Sequence, residues 1–291
     1  MSRIAYVNGR YLPQRDASVN IEDRGYQFAD GIYEVLYLRD GRFVDLDLHL
    51  ARLERSLGEV RITPPMGRAA LLRVLQEVAR RNRVRDGLLY MQVTRGVARR
   101  DHAFPKPGQG GQPVPPALVV TIRRVPPYPS SPDGWAARAI TQPDLRWSRC
   151  DIKSTGLLPN VLARQAAQEA GASEAILVRD GQVTEGAATS IWIVDGGGVV
   201  RTRHLDQAIL PGCTRDALLS VMRDAGVTFE QRGFSEAELR AAPEVFLTSA
   251  TGFVKPLVSV DGQPVGDGTP GPVTRRLFDL FARHVLGNQA A

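Results

Sequence analysis

VPPYPSSPDGW, residues 125–135, places four prolines and a glycine within eleven residues. Proline fixes φ and donates no amide, so neither a helix interior nor a central strand runs through such a stretch. It reads as the break between two domains. A small N-terminal domain covers residues 1–124, a linker 125–135, and a large C-terminal domain 136–291.

Upstream of the break, Ile4 to Val7 followed by Asn8-Gly9 reads as a strand entering a tight hairpin turn. The same grammar recurs with Tyr33 to Leu38, Asp40-Gly41 and Arg42 to Val44. Helical spacing follows over 46–57. A second helix over 67–82 aligns Leu71, Leu72, Leu75, Val78 and Ala79 on one stripe. Strands are expected over 88–95 and 117–125, separated by the loop PKPGQGGQPVPP (105–116). Downstream, a helix over 157–171 precedes a strand over 175–178, a turn at Asp180-Gly181 and an apolar strand over 189–194. Helices over 212–225 and 272–285 flank a strand over 244–248. Strands and helices mix without βαβ alternation, and no GxGxxG, P-loop or repeat occurs. The expected class is α+β in two domains.

A chain of 291 residues suits one large domain or two of ordinary size. Hydrophobic residues at 43% and charged ones at 23% are globular values. The net charge of +6 comes from arginines scattered among acids, not from a basic block, so a nucleic-acid partner is disfavoured. Cys150 and Cys213 show neither metal-type spacing nor a disulfide framework. The opening MSRIAYVNGRYLP lacks an apolar signal core, and no apolar run approaches the ~18 residues of a membrane span. A cytoplasmic protein with no membrane partner and no bound metal is expected.

Of 37 Lys and Arg residues, only Lys106, Lys153 and Lys255 are lysines. An amine can lose its proton and attack a carbonyl; a guanidinium cannot. Lys153, in CDIKSTGLLPN (150–160), has apolar neighbours in Ile152 and Leu157, and a helix is expected to begin near Ser154 or Thr155. It reads as a Schiff-base lysine or as a surface lysine. Glu185, in VTEGAATSIWIV (183–194), precedes small residues that let a flat group approach the backbone. A carboxylate there can keep the nitrogen of a pyridine ring protonated; a hairpin-turn glutamate is the alternative. ILPGCTRDALL (209–219) sets Gly212 and Thr214 at a helix start suited to an anion, or to an ordinary N-cap threonine. TSATG (248–252) offers a second anion seat in a tight turn. Arg100 and His102, in the RDH loop, point the same way if extended and suit a carboxylate; a solvated loop is the alternative.

Several segments then fall into one familiar order: EDRGYQFADGIYEV (22–35), HLARLERS (49–56), YMQVTRG (90–96), RDHAFP (100–105), RWSRCDIKS (146–154), LLPNVLA (157–163), EAILVRDGQVTEG (174–186) and ILPGCTRD (209–216). Together they resemble the fold type IV pyridoxal-phosphate enzymes, and within them the D-amino acid aminotransferases. The resemblance implies a two-domain fold with pyridoxal 5'-phosphate in the interdomain cleft, most of its site in the larger domain, and a homodimer. It implies that Lys153 carries the cofactor and shuttles the proton, and that Glu185 partners the pyridine nitrogen. Arg52, Thr214 and the Ser249-Ala250 turn correspond to the phosphate cup, and Leu210 to the residue lying against the ring. Tyr33, Arg100 and His102 correspond to the trap for the substrate α-carboxylate, the last two reaching in from the neighbouring subunit.

The Arg-x-His pair decides the substrate class: D-amino acids such as D-alanine and D-glutamate, with 2-oxoglutarate or pyruvate as acceptor. Rivals of the same fold are branched-chain L-amino acid transaminase and aminodeoxychorismate lyase; a non-catalytic pyridoxal-phosphate carrier is the rival of another class. Three positions depart from the pattern. Ala250 stands where a threonine is more usual, so weaker cofactor retention is expected, with Thr251 as a substitute. Asp101 adds a negative charge inside the trap. Lys255, after the phosphate turn, reads as its offset, as a seat for a side-chain carboxylate, or as a surface lysine.

Overall fold

The computed structural model describes residues 3–106 and 114–287; the centre of the 105–116 loop, residues 107–113, lies outside the described residues. The chain divides into two compact units, Met1–Pro127 with Ile152–Gly156, and Tyr128–Asp151 with Leu157–Ala291.

The first unit contains β1 (Ile4–Val7), β2 (Arg10–Pro13), α1 (Arg24–Phe28), β3 (Gly31–Arg39), β4 (Arg42–Phe43), α2 (Leu46–Glu59), α3 (Arg68–Asn82), β5 (Gly87–Thr94) and β6 (Ala117–Arg124). Its six strands form one sheet in the order β2-β1-β6-β5-β3-β4. The hairpin signals hold for a backbone reason. Asn8-Gly9 (φ 45° and 89°) and Asp40-Gly41 (47° and 78°) take the left-handed pair of a type I′ turn, whose twist matches the strands it joins. Helix α3 buries Leu71, Val74, Leu75, Val78 and Ala79. Val74 replaces the expected Leu72, because at 100° per residue Val74 lies only 60° from Leu71 around the axis, whereas Leu72 lies 100° away.

The second unit contains β7 (Ala137–Pro143), α4 (Leu158–Glu169), β8 (Glu174–Arg179), β9 (Gln182–Gly186), β10 (Ser190–Val194), β11 (Val200–Thr202), α5 (Cys213–Asp224), β12 (Phe229–Gln231), α6 (Glu236–Ala241), β13 (Glu244–Ser249), β14 (Phe253–Val260), β15 (Gln263–Pro264) and α7 (Pro272–Leu286). The sheet runs β12-β11-β10-β13-β14-β7-β8-β9, with β15 paired to β14. Every residue of β10 is buried, as expected of an apolar run covered on both faces.

Three sequence expectations need correction. The segment 128–135 is packed and does not act as a loose linker: Tyr128 stacks on Phe278 at 4.7 Å, and Trp135 Nε1 donates to the Gly252 carbonyl at 3.1 Å. Residues 152–156 fall outside the second unit. Tyr33 N donates to the Lys153 carbonyl and Thr155 N to the Gly31 carbonyl, both at 3.0 Å, while Ile152 enters the first unit's core. That strand-like pairing also overrides the helix expected at Ser154. Helix α4 (Leu158–Glu169) instead follows the expected 157–171 span, with Pro159 in its first turn, where a missing amide costs nothing.

Candidate active site

Lys153 is thus held by the edge of β3. Its own amide approaches Ser56 Oγ at 3.4 Å, and its Nζ stands 4.2 Å from the centre of the Tyr33 ring. Among the described residues no carboxylate pairs with this amine. Tyr33 stacks on Tyr90 at 5.7 Å, and the Tyr90 hydroxyl donates to Gln92 Oε1 at 2.7 Å. Burial, helped by Tyr33, pushes the Tyr90 phenol up to about 12, so it stays neutral and able to donate. The sequence reading brought Lys153 and Tyr33 to one site, and the structure places them in contact; Tyr90 and Gln92 gave no separate signal.

Arg52 lies on the buried face of α2. Its Nε and Nη2 donate to the two oxygens of Glu34, each at 2.8 Å, and His49 Nδ1 lies 2.8 Å from Glu34 Oε2. Burial alone would raise the Glu34 carboxyl; the charge and hydrogen bonds of Arg52, with His49 adding, outweigh it and hold the group at about 2. A planar fork gripped along its Nε–Nη2 edge keeps one orientation, which suits Arg52 to face a phosphate.

Arg100 and His102 sit in an exposed loop, yet both meet the ring of Phe28. The Arg100 guanidinium lies 4.9 Å from the ring centre, and the His102 ring 5.4 Å from it. The Asp101 carboxylate accepts from Ala103 N at 3.1 Å, closing a local turn.

In the second unit Glu185 is a buried residue of β9, not a turn glutamate. Leu210 N donates to its Oε2 at 3.1 Å, and Arg146 Nη1 donates to its Oε1. The same guanidinium grips Asp144 through Nε at 2.9 Å and Nη2 at 2.8 Å. Arg146 therefore bridges two buried carboxylates and fixes the direction of Glu185, while Arg179 Nη2, 3.2 Å from Asp144 Oδ1, supplies the second positive charge. Nothing in the spacing of Arg146 marked it as more than part of a matching segment. Cys150 beside it is no thiolate: burial, only partly opposed by Arg146, pushes its thiol up to about 11.

The small residues after Glu185 are required by space. A Cβ on Gly186 would lie 2.1 Å from Thr189 Oγ1, and that hydroxyl is buried with no hydrogen-bond partner among the described residues. The two anion seats converge on one end of the sheet. Ser190 pairs with Thr248 across β10 and β13, and a Cβ on Gly212 would lie 3.0 Å from Ser190 Oγ. Gly212, not Thr214, is the N-cap of α5, and no side chain caps that helix. Its first turn, which carries buried Thr214, therefore lies beside the Thr248–Gly252 turn. There Ser249 Oγ accepts from Gly252 N at 3.0 Å and lies 3.2 Å from Thr251 Oγ1. Ala250 brings no hydroxyl. Lys255 stands 4.3 Å from the Trp135 ring centre, and burial, with Arg164 nearby, lowers its pKa.

No group of three or more His, Cys, Asp or Glu that could hold a metal ion occurs among the described residues. Nor is any helix of those residues long and apolar enough to cross a membrane.

The amino-transferase class IV family model matches residues 31–260. D-alanine aminotransferase of Bacillus licheniformis is 41% identical over 283 residues, covering 97% of each chain. The Staphylococcus haemolyticus D-alanine aminotransferase is 38% identical over 280 residues, covering 96% of this chain and 97% of that one. Among solved structures, the T.th. branched-chain amino acid aminotransferase with pyridoxamine 5'-phosphate superposes with a TM-score of 0.86 at 25% identity, covering all of this chain and 96% of the other. This chain belongs to the class IV aminotransferases, with their mixed two-sheet fold.

Proposed function

We propose that this aminotransferase moves the amino group of D-amino acids, of the D-alanine and D-glutamate type, to 2-oxo acids, with pyridoxal 5'-phosphate as cofactor. The observation that carries the substrate class is the Arg100-His102 pair gathered on Phe28, in a chain whose relatives at 38–41% identity are named D-alanine aminotransferases. The residues present fit the cofactor. Lys153 offers an amine unpaired with any described carboxylate, Glu185 a buried and directed carboxylate, and Thr189 an orphaned hydroxyl beside it. The uncapped start of α5 and the 249–250 turn offer amides and hydroxyls for its phosphate.

When bound, the cofactor supplies an aldehyde carbon and a ring that takes up the electron pair left at the substrate Cα. Lys153 Nζ would hold the cofactor and, once displaced by the substrate amine, would take the Cα proton. Glu185 would keep a proton on the ring nitrogen, with Arg146 fixing its direction. Arg52, oriented by Glu34 and His49, would donate to the phosphate, as would Thr214 and the Ser249-Ala250 turn, and Leu210 would face the ring. Tyr33, Arg100 and His102 hold the α-carboxylate, so that one face of Cα meets the amine. Leu158, Val161 and Leu162 on one face of α4 are each more than half exposed, which supports a second copy as partner. Both cysteines are free, in keeping with work in the cytoplasm.

Borohydride reduction of the loaded enzyme, followed by peptide mapping, tests the assignment of the amine. Modification on Lys153 is expected. Modification on Lys255, the buried-side lysine of lowered pKa, would overturn it.

A further inference from the structure

The loop that carries Arg100 and His102 makes little ladder of its own. Its entry is tied by an isolated bridge between Asp23 and Val97 and by Ala98 N donating to the Glu22 carbonyl at 3.3 Å. Residues 99–104 are exposed, and such a segment would ordinarily sample many conformations. Yet a trap for a carboxylate loses affinity if its two donors must be ordered at each binding event.

What orders them is Arg24. This guanidinium is buried, only 3% exposed, on the first turn of α1. Its Nη1 donates to the carbonyls of Asp101 at 2.5 Å and Ala103 at 3.3 Å, and its Nη2 reaches the His102 carbonyl at 3.5 Å. One side chain thus grips three successive peptide groups, and those three residues include and directly follow the trap. The opposite edge of Arg24 is fixed in turn, with Nε donating to Asp30 Oδ2 at 2.8 Å. Asp30 is itself held by the fork of Arg95, through Nε at 2.7 Å and Nη2 at 2.9 Å. The far end of the loop is pinned as well, since the Phe104 ring lies 3.7 Å from the Arg95 guanidinium carbon.

The side chains are set by the same turn of helix. Phe28, one turn after Arg24, presents a ring that meets Arg24 at 4.8 Å, Arg100 at 4.9 Å and His102 at 5.4 Å. The local sequence makes this possible. Asp23 caps α1 by accepting from Gly25 N at 2.8 Å, and a Cβ on Gly25 would lie 2.2 Å from Thr94 Cγ2. The Asp-Arg-Gly order therefore lets the helix sit against β5 with Arg24 turned to the loop.

We infer that Arg24 and Phe28 are positioning residues for the substrate α-carboxylate: Arg24 clamps the backbone of the 101–103 loop and Phe28 seats the side chains of Arg100 and His102, without either touching the substrate. This rests on the reading of Arg100 and His102 as the carboxylate trap. An arginine is needed because only a planar fork with five donors can serve Asp30 on one edge and several carbonyls on the other.

The test is steady-state kinetics of the loaded enzyme with D-alanine, comparing Arg24→Lys, Arg100→Ala, the double variant and Phe28→Leu. Arg24→Lys is expected to raise KM roughly tenfold or more, the scale of a lost charge-assisted hydrogen bond, with kcat held within about twofold. The rise should shrink in the Arg100→Ala background, because the clamp acts through the side chain already removed. Phe28→Leu should raise KM in the same direction, and it decides the matter if Arg24→Lys fails to fold. If Arg100→Ala leaves KM unchanged, the trap reading itself fails and the inference falls with it. If Arg100→Ala raises KM while Arg24→Lys and Phe28→Leu do not, the trap stands and the inference is overturned. A parallel fall in kcat, cofactor content and stability, or a fully additive rise in KM, would also overturn it by showing a merely structural role.

Discussion

Replacing Glu34 by Gln keeps the shape of the buried group and removes its charge. Three contacts at 2.8 Å are affected: two from Arg52 and one from His49. An amide can accept only through its oxygen, and its NH2 group then faces a donor, so one of the two Arg52–Glu34 contacts is lost and the buried guanidinium no longer has its counter-charge. Holding the carboxyl at about 2 against an ordinary value of 4.5 corresponds to about 3 kcal/mol of stability at neutral pH. Removing one partner of a buried ion pair costs a similar ~3–5 kcal/mol. The sign follows from the direction of the shift. A carboxylate depressed in the folded state stabilises above its unfolded pKa, and that stability disappears as pH falls from about 4.5 toward 2. Urea unfolding of wild type and Glu34→Gln should therefore differ by roughly 3 kcal/mol at pH 7, with the pH-dependent part falling to about half near pH 3. The variant should also lose cofactor more readily, because Arg52 is no longer oriented. Equal stabilities at pH 7, or a difference unchanged at pH 3, would refute the reasoning.

Other outcomes follow from single positions. Lys153→Arg keeps a positive charge but no reactive amine, so activity should fall roughly 10³-fold or more and the yellow colour should be lost; residual turnover near wild type would contradict the assignment. Gly186→Ala forces a methyl to 2.1 Å from Thr189 Oγ1, so urea unfolding should show a loss of about 1–3 kcal/mol. Ala250→Thr adds a hydroxyl to the turn beside α5 and should tighten cofactor retention roughly tenfold, measured by equilibrium dialysis.

The fold was legible where local chemistry is unambiguous. Asn8-Gly9, Asp40-Gly41 and Asp180-Gly181 all take left-handed turn pairs, as does Asp261-Gly262, which the sequence reading passed over. Helices α2, α3, α5 and α7 begin and end within about two residues of expectation, the ordinary ambiguity of helix ends. The failure at Ser154 is of another kind. The pairing of Lys153 and Thr155 with β3 is a long-range event, and no period in residues 150–160 encodes it. The same holds at the site. Lysine scarcity pointed to Lys153, and position in the chain to Glu185. Arg146 and Arg24 carried no separate signal because an arginine in an arginine-rich chain shows none until its buried partner is known, and Glu34 none because its partners His49 and Arg52 come from another element. Glu34, next to Tyr33 on β3, shows why: the trap residue is only partly buried and its neighbour fully buried, since successive strand residues point to opposite faces.

The central claim is that Lys153 and the Arg100-His102 trap together process D-amino acids. A spectral titration of the purified yellow enzyme, with D-alanine and L-leucine added separately and no oxo acid present, tests it most directly. Bleaching of the visible band by D-alanine alone is the predicted result. Bleaching by L-leucine alone would move the enzyme to the branched-chain class, and no response to either would contradict the account.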